Sequence, residues 1–281
     1  MTLRVWTIWV MRQLEKEGLM IRVLFVVLLS VGTTVCADDT GREVREEFLK
    51  RAKVMSVKDV GSGATKPLKV TLRRKGKEMV AIFKAVDVRM DSPSQFGGKT
   101  ASEYSDSYKH ELAAYELDKM LGLDFLPAII ERRIKGKKGS LREWVDDVMP
   151  RYGHEQMPPD ADKTRDQIQT VWLFDYLIYN VDRRTHNLMI GSNWHPVLID
   201  HSMAFTLFED PVRPLYRFPK EVIEALRNLS DDEIKGRLKS FLRPVQIQAF
   251  MKRRMRVLDM VNHQIEKGNQ DEVFFSLAEI R

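Results

Sequence analysis

Apolar and polar residues alternate along the chain from Val54 to Asp87, and turn signals divide this stretch into three segments. The segments VMSVKDV, LKVTLRR and MVAIFKAVD each have the period of two that is typical of a half-buried strand. Leu68, Val70 and Leu72 form the apolar face of the second segment. The turns GSGATKP and KGKE separate the segments, so the pattern predicts three consecutive strands.

The period changes after residues 91–106, which are predicted to form a polar loop. From Tyr108 onward the apolar positions recur at helical spacing, and Gly122 follows as a carboxyl-terminal cap. Two further strands are predicted at residues 127–134 and 140–149, around the turn KGKKG. One helix therefore lies between the third and the fourth of five strands.

The second half of the chain is predicted to be mostly helical. Residues 168–181 are strongly apolar with Asp175 among them, and the short apolar runs LMI and PVLID follow. Residues 219–229, 231–241 and 243–267 also have helical patterns. We therefore predict an α+β fold with two lobes, an amino-terminal lobe at 38–149 and a helical carboxyl-terminal lobe at 150–281. The Pro- and Asp-containing connection at 150–162 marks the boundary.

Residues 1–37 have the pattern of an export signal. Arg22 precedes the uncharged apolar run VLFVVLLSVGTTV, and Val35-Cys36-Ala37 supplies a small-residue cleavage site. The run is shorter than the roughly 20 residues of a transmembrane helix. We expect cleavage near Ala37, an exported protein and translation that begins at Met20. The alternative is an uncleaved segment that anchors the chain to a membrane.

Composition limits the remaining classes of function. The chain has 281 residues, a net charge of +6 and one cysteine, Cys36, which the predicted cleavage would remove. A disulfide framework and a cysteine metal site are therefore excluded from the mature chain. The basic runs at 132–138 and 252–256 are interpreted as solvated surfaces, and they do not indicate a nucleic-acid partner.

Three acidic or amide residues carry the candidate chemistry. Asp182 and Asn187 have the D-x-x-x-x-N spacing of a phosphoryl-transfer loop, and Asp200 ends the second of the two short runs that follow. Phosphoryl transfer needs a carboxylate that orients the attacking hydroxyl, which suits Asp182. It also needs oxygen ligands for Mg²⁺, which suits Asn187 and Asp200. Each residue alone is more typical of a turn or a cap.

A lysine and a glutamate complete the pattern. Lys84 lies among apolar residues on the third strand, where it can bind phosphates, and Glu111 at the start of the next helix is its expected partner. Glu116 is a competing partner for Lys84, but it faces another side of that helix. Gly61, Ser62 and Gly63 form a glycine-rich turn whose backbone could approach phosphates, although the same turn suits an ordinary hairpin.

The segments YLIYNVDRRTHNLMI and PVLIDHSMAF resemble motifs of the secretory-pathway (Golgi, Four-jointed-like) kinases, spore-coat kinases, HipA-type kinases and phosphatidylinositol kinases. The resemblance covers about residues 54–205 and implies a kinase-like fold, ATP and Mg²⁺ or Mn²⁺. It assigns Lys84, Glu111, Asp182, Asn187 and Asp200 to the roles given above. The chain has Arg184 where the group has histidine, and Asp200-His201-Ser202 where protein kinases have Asp-Phe-Gly.

The resemblance implies an ATP- and metal-dependent phosphotransferase that acts on a hydroxyl group of a protein, sugar or lipid. Two alternatives use the same fold. One is a pseudokinase, or a scaffold that binds nucleotides or anions. The other is an enzyme that transfers AMP instead of phosphate. The residues alone do not choose among the acceptors.

Overall fold

The computed structural model of the protein describes residues 39–61, 66–90, 94–96, 99–101, 104–146, 148–150, 160–191, 194–268 and 270–281. Residues 44–281 form one compact unit, which contains the sheet, the later helices and the candidate site. The predicted export signal lies outside the described residues. In the described part of the chain, no helix combines the length and the hydropathy needed to cross a bilayer.

The described part of the amino-terminal half contains two long helices and nine strands: α1 (Asp39–Arg51), β1 (Lys53–Asp59), β2 (Leu68–Arg74), β3 (Lys77–Lys84), β4 (Asp87–Met90), β5 (Ser94–Phe96), β6 (Lys99–Ala101), β7 (Tyr104–Ser107), α2 (Tyr108–Leu121), β8 (Ile129–Ile134) and β9 (Lys137–Glu143). Five strands form one antiparallel sheet in the order β1-β2-β3-β9-β8. This sheet, with α2 between its third and fourth strands in the chain, confirms the predicted α+β arrangement.

Three parts of this half differ from the prediction. Helix α1 precedes the sheet and was not predicted, since its apolar residues are few and it reads as a polar segment. The predicted loop at 91–106 is wrong in its described part, where β4 pairs with β7 and β5 pairs with β6. Backbone hydrogen bonds form these short hairpins although the segment lacks an alternating apolar pattern. Strand β9 is also shorter than predicted and ends at Glu143.

A capping interaction at each end defines where helix α2 begins and ends. The Oγ of Ser107 accepts a hydrogen bond from the backbone N–H of Lys109 and caps the first turn. Gly122 adopts φ of 64°, a left-handed conformation that a glycine reaches without strain, and it ends the helix. Both faces of α2 are largely buried, so the helix packs against the sheet and against the carboxyl-terminal half. Its position fixes where Glu111 lies.

The carboxyl-terminal half contains β10 (Met149–Pro150), α3 (Ala161–Ile178), a 3₁₀ turn (Thr185–Asn187), β11 (Leu188–Ile190), β12 (Pro196–Leu198), β13 (Phe218–Pro219), α4 (Lys220–Asn228), α5 (Asp231–Leu238), α6 (Pro244–Lys267), α7 (Gln270–Val273), β14 (Phe274–Phe275) and α8 (Leu277–Ile280). The predicted helices at 219–229, 231–241 and 243–267 correspond to α4, α5 and α6. The hairpin β11–β12 separates Asn187 from Asp200, as the short apolar runs indicated.

The interpretation of residues 252–256 as a solvated surface is wrong for two of its arginines. Arg253 is fully buried, and its guanidinium donates hydrogen bonds to the carbonyl oxygens of Leu177, Thr206 and Phe208. Arg254 is also buried and donates to backbone carbonyls. These two arginines of the basic run therefore stabilise the interior, because their guanidiniums donate hydrogen bonds to carbonyl groups that would otherwise lack a donor.

Replacement of the buried guanidinium tests this role. Arg253→Met leaves three carbonyl groups without a donor, at a cost of about 1–3 kcal/mol for each group. We therefore expect urea denaturation to show a free energy of unfolding lower by about 3 kcal/mol or more. Arg256→Met is the matched control, since Arg256 lies one turn away and pairs with Glu209 and Asp210 at the surface. Equal stability losses in both variants would contradict the buried role.

Candidate active site

Lys84 connects three elements at the centre of the site. Its ammonium nitrogen lies 2.7 Å from Oε1 of Glu111 on α2 and 2.6 Å from Oδ1 of Asp200, which follows β12. The Lys84 and Glu111 side chains are 9% and 1% exposed, whereas Asp200 remains 38% exposed. The predicted contact between Lys84 and Glu111 is therefore present, and the aspartate of the later motif joins it.

The three charges stabilise one another. Burial alone would lower the pKa of Lys84, but the two carboxylates raise it above its ordinary value. Burial would likewise raise the pKa of Asp200, yet the charge and hydrogen bond of Lys84, with the charge of Arg142, hold it below its ordinary value. Lys84 and Asp200 are consequently both ionised at neutral pH.

The predicted phosphoryl-transfer loop is folded around the side chain of Asn187. The Nδ2 of Asn187 donates to the backbone carbonyl of Asp182 at 3.0 Å, and the residue is buried. The Nε of Arg184 lies 2.5 Å from Oδ1 of Asp182, and the Arg184 side chain is 64% exposed. Arg184, which stands where the resembling group has histidine, therefore pairs with the carboxylate predicted to orient the acceptor.

Arg183 holds this loop to its surroundings. Its guanidinium forms two hydrogen bonds with the Asp175 carboxylate, at 2.9 and 2.8 Å, and donates to the carbonyl oxygens of Asn187 and Ile199. Asp175, inside an apolar helix, therefore bonds to the side chains of Arg183 and Asn180. Because a guanidinium only donates, Nε2 of His201 must accept the remaining bond at 2.8 Å. Burial keeps the pKa of His201 well below its ordinary value, which agrees with a neutral ring.

The segment Asp200-His201-Ser202 is fixed to the start of α2. Asp200 has φ of 61°, a left-handed conformation that a non-glycine residue adopts only when its surroundings hold it there. The carbonyl oxygen of Ser202 accepts hydrogen bonds from the backbone N–H of Ser107 at 2.9 Å and from Nδ1 of His110 at 2.8 Å. Glu111 and Asp200 are thus positioned by one set of contacts.

Asp106 is a candidate residue that the sequence did not reveal. Its Oδ1 is buried and accepts no hydrogen bond from the residues that the structure describes. Burial raises the pKa of Asp106 above its ordinary value, and the nearby carboxylates of Asp200 and Asp182 raise it further. A hydrogen bond from Ser202 and the charge of Lys84 lower this pKa and so oppose part of the rise. The side chain therefore belongs to the same electrostatic cluster. No motif marks this residue, and its one sequence signal is its place next to the helix cap.

A divalent cation fits the oxygen groups of this site. Asp200 and Asn187 are the predicted ligands, and the unpaired Oδ1 of Asp106 is an oxygen whose burial a cation would offset. Among the residues that the structure describes, no three histidine, cysteine or acidic side chains come together at metal-binding distance. The remaining ligands would therefore be phosphate oxygens and water, which are usual for Mg²⁺.

The glycine-rich turn is described only at Gly61. Its backbone N–H donates to Oδ1 of Asp59 at 2.8 Å, and its φ of 75° is one that glycine readily adopts. Ser62 and Gly63 lie outside the described residues, so their assignment to phosphate binding stays a prediction.

A cavity of about 400 Å³ lies beside the phosphoryl-transfer loop. Asn180, Val181 and Arg183 of the loop form one side, and the aromatic rings of Trp172 and Phe208 contribute to the rest. Its size is within the range of small-molecule sites, about 300–1,000 Å³. The cavity is therefore a space beside the loop in which part of an acceptor could bind.

Comparisons with known proteins establish the fold. No family model and no curated protein sequence matches the chain. A solved structure of hydra Fam20 with sugar has a TM-score of 0.62 at 17% identity, over 86% of this chain and 94% of that chain. A Golgi casein kinase with Mn and ADP bound has a TM-score of 0.59 at 14% identity, over 85% and 79%. The chain therefore has the kinase-like fold of these proteins, as its motifs predicted.

The buried ring of His110 makes stability depend on pH. Burial lowers its pKa to about 4 from an ordinary value near 6.5, so protonation favours the unfolded chain. As the pH falls from 6.5 to 4, its contribution should reduce the free energy of unfolding by about 1.4 kcal/mol per pH unit. Urea denaturation of wild type and His110→Gln at several pH values measures this. The variant should show a smaller fall, and parallel profiles would contradict the assignment.

Proposed function

We propose that the protein is a phosphotransferase that moves a phosphoryl group from ATP to a hydroxyl acceptor. The observation that carries this proposal is the position of Lys84, which contacts Glu111 and Asp200 at once. Active kinases require this lysine–glutamate pair together with a metal-binding aspartate. The same described region contains Asp182 and Asn187 at the required spacing.

Each side chain has a role that follows from its charge and position. Lys84, held by Glu111, binds phosphate oxygens. Asp200 and Asn187 would hold Mg²⁺ or Mn²⁺, with Asp106 as a further oxygen donor, and the cation would neutralise phosphate charge when bound. Asp182 accepts the proton of the acceptor hydroxyl and orients its oxygen for in-line attack.

The comparisons support the nucleotide and the metal. The Golgi casein kinase with this fold was solved with Mn and ADP bound, and hydra Fam20 was solved with sugar. We propose ATP and a divalent cation for this chain by that likeness. The acceptor is a hydroxyl of a protein, a sugar or a lipid, and it would approach Asp182 from the cavity beside the loop.

Two substitutions separate nucleotide binding from transfer. With Mn²⁺, ATP at a hundred times its dissociation constant should stabilise the wild type by about 2.7 kcal/mol in a thermal shift assay. Asp200→Asn should abolish this metal-dependent shift. Asp182→Asn should keep the shift but lower phosphate transfer at least about a hundredfold, measured by labelled ATP.

Asp232→Asn is the control, because this carboxylate is exposed at the start of α5. No shift with any nucleotide would contradict the proposal and favour a scaffold. Label transferred from the α-phosphate instead of the γ-phosphate would favour AMP transfer.

We also propose that the chain is exported, with cleavage after Ala37 and a mature protein that begins at Asp38. The charged start, apolar run and small-residue site at 20–37 support this. A phosphotransferase in such a compartment requires ATP to be supplied there.

Sequencing of the mature amino terminus tests the export proposal. A first residue at Asp38 is the expected result, because the small residues at 35 and 37 suit signal peptidase. A start upstream of the apolar run, with the protein in the membrane fraction, would instead favour an uncleaved anchor. Ala37→Leu is the control variant, since it should block cleavage and leave the folded residues unchanged.

A further inference from the structure

Arg142 is a buried cation that the proposed chemistry does not use. It lies on β9, is 8% exposed, and is paired in register with Ile82 of β3. Lys84, two residues further along β3, is paired with Ser140. Side chains alternate along a strand, so Arg142 lies on the same face of the sheet as Lys84.

The guanidinium of Arg142 has few partners. Among the residues that the structure describes, its single hydrogen bond joins Nη1 to the adjacent carbonyl of Glu143 at 3.4 Å. Within the described residues it forms no ion pair. The buried guanidiniums of Arg183 and Arg253, in contrast, each donate to three or more groups. A guanidinium has five N–H donors, so Arg142 retains donors for a ligand.

An anion is the ligand that such a group requires. Burial lowers the pKa of Arg142, whereas the negative charges of Glu111 and Asp200 raise it. These two carboxylates therefore lie close enough to the guanidinium to interact with its charge. An unpaired buried charge is costly to a folded protein, and a residue kept at that cost commonly serves binding. The face that Arg142 shares with Lys84 is the face on which nucleotide phosphates would lie.

The charge of the site points to the same conclusion. Lys84 carries one positive charge and contacts two carboxylates, so this trio has a net charge of −1. Asp106 and Asp182 add further negative charge nearby. A polyphosphate would be repelled unless other cations balance these groups. Arg142 brings the trio to neutrality before any metal ion binds.

We propose that Arg142 is a second phosphate-binding cation of the nucleotide site, and this inference rests on the proposed phosphotransferase function. Its guanidinium would bind oxygens of the nucleotide diphosphate beside Lys84. The planar fork of arginine suits two phosphate oxygens at once. Arg142 thereby also makes the site select nucleotides with more than one phosphate.

Calorimetric titration with adenosine, AMP and ADP, with and without Mn²⁺, tests the inference. Arg142→Gln should weaken ADP binding about tenfold or more, the usual scale of a lost charge-assisted contact. Adenosine binding should change less than about twofold, because no phosphate contact is lost. Arg142→Lys should recover part of the ADP affinity. Arg73→Gln is the control, since Arg73 lies on β2 of the same sheet and pairs with Glu78 at the surface.

The melting temperature without nucleotide provides a second readout. Removal of an unpaired buried charge should leave the melting temperature of Arg142→Gln equal to the wild type or higher. Unchanged ADP affinity, equal losses for adenosine and ADP, or a melting temperature far below that of Arg73→Gln would each overturn the inference. Failure of the wild type to bind any nucleotide would overturn the proposed function and this inference together, which distinguishes the two failures.

Discussion

The buried ion pairs of Lys84 are the interaction on which the candidate site depends. An ammonium in the interior loses several kcal/mol of hydration, and only well-placed carboxylates offset that loss. Glu111 lies on helix α2, and Asp200 lies in the segment after the β11–β12 hairpin. The hydration that Lys84 loses is therefore replaced only when the sheet, α2 and the Asp200 segment are assembled together. The arrangement that stabilises Lys84 is therefore also the arrangement that forms the site.

A second set of contacts keeps this assembly rigid. The carbonyl of Ser202 accepts hydrogen bonds from Ser107 and His110, so the start of α2 and the Asp200 segment are held at two points. Arg183 joins the end of α3 to the loop and to His201. Because these donors and acceptors are buried, loss of one partner leaves a costly unsatisfied group. Displacement of either carboxylate relative to Lys84 is therefore opposed.

The sequence predicted those parts of the fold that depend on local patterns. Strands β1 to β3 have a period of two, α2 has helical spacing and ends at Gly122, and Asp182 and Asn187 keep a fixed spacing, so each is visible within a short window. Arg253 was misinterpreted because its partners, Leu177, Thr206 and Phe208, lie about 45 to 76 residues away in the chain. Burial of a basic run depends on such distant carbonyls, which no local pattern encodes.

Asp106 and Arg142 escaped prediction for the same reason. Each has an ordinary sequence context, a polar loop for one and a charged strand for the other. Their importance arises only when the β4–β7 hairpin and β9 bring them next to Lys84 and Asp200. The motif residues thus identify where the site lies, whereas the balance of charge within it depends on residues that only the fold brings together.

The departure at Arg184 is compatible with a working site. Its side chain pairs with Asp182 but is 64% exposed, and exposed ion pairs contribute only about 0–1 kcal/mol. An acceptor hydroxyl can therefore displace Arg184 from Asp182 at small cost. Arg183, which is buried and holds the loop backbone, fixes the position of Asp182 in either case. The orientation of the carboxylate is thus maintained by the buried arginine, and the exposed one leaves it accessible.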